Sequence, residues 1–172
     1  AGVWTVYTNS QIPNNENVNF IEQDAVGNLW IGTANSGLVR FEQSGQFTIY
    51  NTTSSPQFPV NNIRSLAIDR QSNLWIGTYG AGILKMNSDL IVENTFSVSS
   101  TPILKSNNIK ALTIDYSNVA QSYLWVGTSD TGLVRYNFKD GWARFDSIIY
   151  GTTYQNRKIN DINCIAVDDS SG

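Results

Sequence analysis

The chain has 172 residues, and its 14 acidic and 11 basic side chains give a net charge of −3. It has no run of Lys or Arg, which argues against a nucleic-acid partner, and no apolar stretch of the roughly 18 residues that a membrane span needs. It has no histidine and one cysteine, so no Ser–His–Asp triad can form, and we expect no internal disulfide, no metal and no cofactor.

Short apolar segments, separated by Gly, Asn, Asp and Ser, follow one another along the chain and predict β-strands rather than helices. Residues 1–8 predict the outer strand of a preceding unit. Three units of four strands each follow, at residues 17–51, 62–98 and 108–146. Residues 161–169 predict the inner strand of a further unit.

One phrase recurs in all three units. Asn-Leu-Trp-Ile-Gly-Thr stands at residues 28–33 and 73–78, and Tyr-Leu-Trp-Val-Gly-Thr stands at residues 123–128. The tryptophans are 45 residues apart (30 to 75) and then 50 apart (75 to 125). Because a propeller blade takes about 40–50 residues and four strands, the repeat predicts an all-β fold. We expect a β-propeller of about three four-stranded blades, with part of a blade at each end.

Recurring residue types within the units predict structural roles. The aspartate that ends each first strand is suited to accept hydrogen bonds from the following turn, and each Trp offers a large surface for burial. The Gly after each Trp allows close approach of a neighbour, and the Gly before Leu or Ile suits a positive φ. Arg40, Lys85 and Arg135 share one register position and are expected to pair with a nearby Asp or to snorkel at the blade edge, while Cys164 aligns with small core residues.

The phrase Asp-x-x-Gly-Asn-Leu-Trp-Ile-Gly-Thr, followed by Gly-Leu, resembles the two-component regulator propeller repeat. The first unit carries it in full at residues 24–33, and the second has Ser72 in place of the first Gly. In the third unit, a four-residue insertion around residues 117–122 lengthens the turn between Asp115 and Trp125. The resemblance implies tandem propellers in the extracytoplasmic sensor part of hybrid two-component regulators. The same repeat also occurs in surface proteins and in components of the type IX secretion system.

Strand order predicts that the segment is part of a larger propeller. Residues 1–8 resemble an outer strand and residues 161–169 an inner strand, and two further strands separate these within a blade. The two ends therefore cannot pair to close a ring, and a ring needs about 4–8 blades. We expect the remaining blades and the flanking domains of a parent protein to be partners of this segment.

Propellers usually bind ligands through loops at one end of the ring. The candidate ligand-binding residues are Asn15, Asn61 and Asn107, in loops that lead into inner strands, and Tyr79 and Asp130, in the turns after the Trp strands. These turns vary within a fixed frame, which is typical of a recognition surface, and Tyr79 is suited to stack on a ligand. The alternatives are that the asparagines cap turns and that the turns are ordinary exposed loops.

Our functional hypothesis is a non-catalytic, ligand-sensing propeller region of an extracytoplasmic regulator, in the periplasm or on the surface of a Gram-negative bacterium. Its ligand would be a glycan or a protein. The alternative is a surface or type IX secretion-associated propeller that binds protein or cell-envelope glycan without signalling. Catalysis by two carboxylates is disfavoured because the repeated aspartates occupy equivalent turn positions.

Overall fold

The computed structural model describes Gly2 and residues 17–118, 121–138, 144–149, 153–154, 157–158 and 161–167. Within these residues, helix is limited to one 3₁₀ turn at Pro102–Leu104. The all-β fold predicted from the repeat is confirmed. The outer strand predicted at residues 1–8 lies outside the described residues, apart from Gly2.

Twelve of the strands form three four-stranded antiparallel sheets, and each sheet keeps its strands in chain order. The first sheet consists of β1 (Val18–Gln23), β2 (Leu29–Thr33), β3 (Leu38–Phe41) and β4 (Phe47–Tyr50). The second consists of β5 (Ile63–Ile68), β6 (Leu74–Thr78), β7 (Ile83–Met86) and β8 (Val92–Phe96). The third consists of β9 (Ile109–Asn118), β10 (Gln121–Thr128), β11 (Leu133–Asn137) and β12 (Arg144–Ile149). A short hairpin of β13 (Thr153–Tyr154) and β14 (Arg157–Lys158) follows.

The turn between the second and third strands is built in the same way in all three sheets. Gly37, Gly82 and Gly132 have φ values of 97°, 81° and 92°, so the positive φ predicted for this position is confirmed. The carbonyl of each glycine accepts a hydrogen bond at 2.8 Å from a Thr hydroxyl at the end of the preceding strand. A left-handed glycine and a threonine therefore fix this turn.

The hydrophobic core lies between the sheets. Trp30 packs on the second sheet against Ile63 and Leu84, and Trp75 packs on the third sheet against Leu124 and other apolar side chains. Both indoles are 1% exposed, whereas Trp125, at the same position in the third sheet, is half-buried. Since each Trp faces the sheet that follows it, burial of the indole depends on that next sheet.

A glycine in the second strand provides the close contact between neighbouring sheets. A Cβ on Gly77 would lie 2.8 Å from Cγ2 of Ile109, the first residue of the next inner strand. A Cβ on Gly127 would lie 2.6 Å from Cγ2 of Ile162 in the same way. The close approach predicted for this glycine is confirmed: an isoleucine side chain of the following unit approaches Gly77 and Gly127, whereas Phe20 of the same sheet approaches Gly32.

The third unit departs from the other two. Its insertion lengthens the first hairpin, because β9 and β10 continue to a pairing of Asn118 with Gln121. Residues 161–167, in the segment predicted as a further inner strand, carry no strand pairing among the described residues, although the Ile162 N–H donates to the Thr128 carbonyl at 2.8 Å. Cys164 is exposed, so its predicted place in the core is wrong: among the described residues, no second strand lies beside this segment to cover it.

Candidate functional site

The candidate ligand-binding residues that the structure describes lie at one end of the three sheets. Asn61 and Asn107 are in the loops that enter β5 and β9, while Tyr79 and Asp130 are in the turns that follow β6 and β10. Strand direction brings these loops and turns to the same edge, which we call the loop end. Asn15 lies outside the described residues.

The two asparagines hold neighbouring chain segments together. Oδ1 of Asn61 accepts a hydrogen bond from the Thr52 N–H at 2.9 Å. The main-chain carbonyl of Asn61 accepts another from the Gly37 N–H at 3.0 Å. Oδ1 of Asn107 accepts from the Val98 N–H at 2.8 Å in the equivalent place. The side chains therefore order the loops that join one sheet to the next, and this geometry favours the capping alternative for both residues.

Tyr79 is the large exposed group of the loop end. The residue is 46% exposed, and its N–H donates to the Asn62 carbonyl at 2.9 Å. The N–H groups of Gly80 and Gly82 donate to the Asn107 carbonyl at 3.0 and 2.9 Å. The turn that carries Tyr79 is thus fixed from two loops, so the aromatic ring stands on a rigid base. Asp130 is exposed in the corresponding turn of the third sheet.

Arg64 is a residue of the loop end that sequence reasoning missed. Its guanidinium lies over the Tyr79 ring, with the Cζ atom 5.4 Å from the ring centroid. Lys110 occupies the same register position in the third sheet, and its Nζ donates to Asp161 Oδ1 at 2.7 Å and to Asn163 Oδ1 at 2.8 Å. The signal in the sequence is a polar residue directly after the first apolar residue of each inner strand: Asn19, Arg64, Lys110 and Asn163.

The opposite end of the sheets carries the repeated aspartates. Asp24 Oδ1 accepts hydrogen bonds from the main-chain N–H groups of Val26 and Asn28 at 3.1 and 2.8 Å. Its Oδ2 accepts from Asn28 Nδ2 at 2.9 Å and from Trp30 Nε1 at 3.0 Å. Burial raises the pKa of the Asp24 carboxyl, but the hydrogen bonds from Asn28, Trp30 and Val26 outweigh it and lower the pKa below its ordinary value.

Asp69 repeats this arrangement, and Asp115 keeps part of it. Asp69 Oδ2 accepts from Trp75 Nε1 at 3.0 Å, and Asp115 Oδ2 accepts from Trp125 Nε1 at 3.3 Å. In the third sheet Ser117 supplies the other donors, and its hydroxyl is the main cause of a lowered pKa for Asp115. The predicted role of the aspartates in the turn is confirmed, and the partner of each Trp N–H is this carboxylate.

A cavity of about 260 Å³ opens beside this turn, between the first and second sheets. Asp24, Trp30 and Arg40 contribute to its wall. The charges of Asp24 and Arg40 are engaged within the chain, since Arg40 lies 3.3 Å from Glu42 and the Asp24 carboxylate accepts four hydrogen bonds, although Nε of Arg40 is buried without a hydrogen bond among the described residues. Lys85 pairs with Glu93 at 3.0 Å at the same register. Arg40 and Lys85 thus form ion pairs, but the partner is a glutamate in each case and the predicted aspartate partner is wrong.

In the part of the chain that the structure describes, no cluster of three or more acidic or cysteine side chains has the arrangement of a metal site. The same residues include no helix with the length and hydropathy of a membrane span.

Three antiparallel four-stranded sheets, each packed against the next, define a propeller-type repeat protein. Residues 11–35 and 57–80 match the family described as two component regulator propeller. The resemblance seen in the sequence is confirmed in these two segments. Comparison with curated proteins gives no sequence match.

Solved structures share the fold. The extracellular domain assigned to the hybrid two-component system BT3049 of B. thetaiotaomicron is 24% identical, with a TM-score of 0.60 over 76% of this chain and 17% of that one. The corresponding domain of BT4673 from the same organism is 19% identical, with a TM-score of 0.52 over 76% of this chain and 16% of that one. Virginiamycin B lyase of Staphylococcus aureus is 12% identical, with a TM-score of 0.54 over 80% of this chain and 43% of that one. The chain thus spans a small part of the two extracellular domains.

Proposed function

We propose that this chain is the non-catalytic, ligand-sensing propeller region of an extracytoplasmic two-component-type regulator, and that it binds a glycan or a protein through its loop end. The matched repeats support the regulator class. The fold likeness to extracellular domains of hybrid two-component systems supports a place in the periplasm or on the cell surface of a Gram-negative bacterium. Further blades and flanking domains of a parent protein belong to this proposal.

One observation carries the binding role. Tyr79 is an aromatic residue with 46% exposure, on a turn whose N–H groups are held by the main-chain carbonyls of Asn62 and Asn107. A rigid exposed aromatic residue beside a few polar groups is the usual composition of a sugar- or peptide-binding surface, since the ring offers contact area at a small entropy cost. The scaffold beneath it is the same in all three sheets, while the exposed turn residues differ. A fixed frame with variable tips is suited to recognition.

The non-catalytic part of the proposal rests on what the aspartates do. The carboxylates of Asp24 and Asp69 are each committed to two main-chain N–H groups, one Asn side chain and one Trp. They are therefore structural rather than available for proton transfer. Release of products from any oligosaccharide by the purified chain, lost on substitution of an aspartate without loss of folding, would contradict this part.

The binding role is tested with a panel of oligosaccharides displayed on an array, followed by calorimetry on any that are retained. We expect Tyr79→Ala to weaken binding by at least about tenfold, because a central aromatic contact is commonly worth more than 1 kcal/mol. Val26→Ala is the matched control, since Val26 is 70% exposed on the turn at the opposite end and its loss should leave affinity unchanged. If binding survives in Tyr79→Ala and is lost in Val26→Ala, the ligand binds at the end opposite to the loop end, and the proposed binding surface is wrong.

The second candidate, a surface or type IX secretion-associated propeller that binds without signalling, uses the same loop end. The two candidates differ in the cellular response to binding. When a ligand retained on the array is added to cells that carry the parent protein, a regulator changes transcription, and the change is lost with Tyr79→Ala. A surface protein retains the ligand at the cell with no transcriptional response.

A further inference from the structure

An irregularity of strand pairing recurs at the loop end of the three innermost strands. In β1 the pairing steps from Val18–Thr33 to Phe20–Gly32, so that Asn19 is an extra residue without an opposite partner. The same irregularity leaves Arg64 in β5 and Lys110 in β9 without an opposite partner. Such β-bulges turn a side chain away from the regular alternation of the sheet, and they are frequent next to binding sites. Three polar side chains are thus placed in one row at the loop end.

The first and third members of this row are committed to the neighbouring unit. Asn19 Nδ2 donates to the Ile63 carbonyl of the next inner strand at 2.7 Å. Lys110 bonds to Asp161 and Asn163 of the segment that follows the third sheet, and its charge is balanced by the Asp161 carboxylate. Both residues therefore link adjacent units.

Arg64 does not follow this pattern. Among the described residues its side chain has neither an ion-pair partner nor a hydrogen bond. Its Nε atom is buried, and a buried donor without a partner costs free energy. The contact that it does make is with the Tyr79 ring, which leaves its positive charge uncompensated at the loop end.

Arg64 and Tyr79 together have the chemistry of an acidic-sugar subsite. The guanidinium is planar and matches the paired oxygens of a carboxylate or sulfate, with two parallel hydrogen bonds. Because Tyr79 is 46% exposed, part of its surface remains open to a pyranose ring. We propose that Arg64 binds the anionic group of a carboxylated or sulfated oligosaccharide while Tyr79 packs against the same or the adjacent sugar. This rests on the ligand-binding function proposed above and deepens it.

The test compares each acidic oligosaccharide with a neutral counterpart that differs only in charge. The probes are oligogalacturonates and their methyl esters, and sulfated oligosaccharides and their desulfated forms, measured by calorimetry with the 172-residue chain. We expect the acidic form of at least one pair to bind at least tenfold more tightly, and this preference to shrink as salt is raised. The carboxylated and sulfated pairs identify which anion is preferred.

The variants separate Arg64 from a general effect of charge. Arg64→Gln should remove the preference for the acidic form, so that the acidic and neutral forms bind with similar affinity. Arg70→Gln is the matched control, because Arg70 also lies over a tyrosine, 4.1 Å from the Tyr116 ring centroid, but at the opposite end of the sheets. It should keep the full preference. A thermal melt of both variants checks that they are folded.

Three results overturn the proposal. Equal affinity for the acidic and neutral forms overturns it, as does a preference that persists in Arg64→Gln or disappears in Arg70→Gln. If neutral oligosaccharides bind through Tyr79 and charge has no effect, this inference fails while the proposed ligand-binding function stands. If neither oligosaccharides nor proteins bind the loop end, both fail together.

Discussion

At the scale of single residues, the turn that follows each first strand is organised by one carboxylate. Asp24 and Asp69 each accept four hydrogen bonds, and two of these come from main-chain N–H groups of the turn itself. Another of the four comes from the indole N–H of the Trp, a core residue that the next sheet covers, so the carboxylate connects the turn to the core. Replacement of this carboxylate therefore affects both local turn geometry and packing between sheets.

Ser72 gives a stability prediction at this scale. It has a φ of 62°, whereas Gly27, at the equivalent position of the first unit, has a φ of 90°. A residue with a side chain in the left-handed region costs about 1–2 kcal/mol, and part of that is offset by the greater unfolded-state entropy of glycine. We expect Ser72→Gly to raise the free energy of unfolding by about 0.5–1 kcal/mol, measured by denaturant unfolding.

The control for Ser72 is its neighbour. Gln71 has no positive φ, so Gln71→Gly adds unfolded-state entropy without relieving strain and should lower the free energy of unfolding by about 0.5–1 kcal/mol. If both variants are destabilised to the same degree, the left-handed conformation of Ser72 carries no cost, and the prediction is wrong.

At the scale of elements, the repeat made most strands predictable. The four strands β5 to β8 follow one another in the middle unit, because three copies of one phrase mark where the apolar segments lie. The insertion in the third unit was expected in a turn, but it lengthens β9 and β10, since the pairing of these strands extends to Asn118 and Gln121 rather than giving way to a wide loop. The bulges at Asn19, Arg64 and Lys110 were not predicted. A single extra residue at the end of a strand barely disturbs the alternation of apolar and polar residues, so the sequence pattern does not reveal the bulge. Arg64 was missed as a site residue for this reason.

Packing between elements gives a second stability prediction at Gly77. A Cβ there would lie 2.2 Å from Ser65 Oγ and 2.8 Å from Ile109 Cγ2. We expect Gly77→Ala to lower the free energy of unfolding by about 1–3 kcal/mol, because the sheets cannot separate without loss of core contacts.

Ser65→Ala provides the partner for a double-mutant cycle. Ser65 Oγ is buried without a hydrogen bond among the described residues, so its removal alone should be close to neutral. In the Gly77→Ala background, Ser65→Ala removes the atom nearest to the new Cβ. It should therefore restore part of the lost free energy of unfolding, which gives a favourable coupling energy between the two changes. Strict additivity of the two changes would show that Ser65 does not limit the space at Gly77.

At the scale of the whole molecule, the three sheets are covered unequally. The second sheet packs on the first through Ile76 and Leu84 and on the third through Trp75 and Ile83, so both of its faces are buried. In the first sheet, Ile21 is 59% exposed and most of β1 faces solvent. Since a blade needs a neighbour on either side, the exposed side of the first sheet supports the proposal that further blades accompany this segment.

Amide hydrogen exchange measures this inequality directly. Local opening requires less free energy where fewer apolar contacts hold a strand, so amides of β1 should exchange faster than those of β6, in which every residue is buried. The comparison is sharpest between pairs of equivalent residues, Ile31 with Ile76 and Val39 with Leu84, because sequence and hydrogen-bond pattern are nearly the same in both sheets. We expect each residue of the second sheet to be the more protected of its pair, because both faces of that sheet are covered. Equal protection throughout would mean that the exposed side of the first sheet contributes nothing to local stability, and the packing argument for further blades would lose its support.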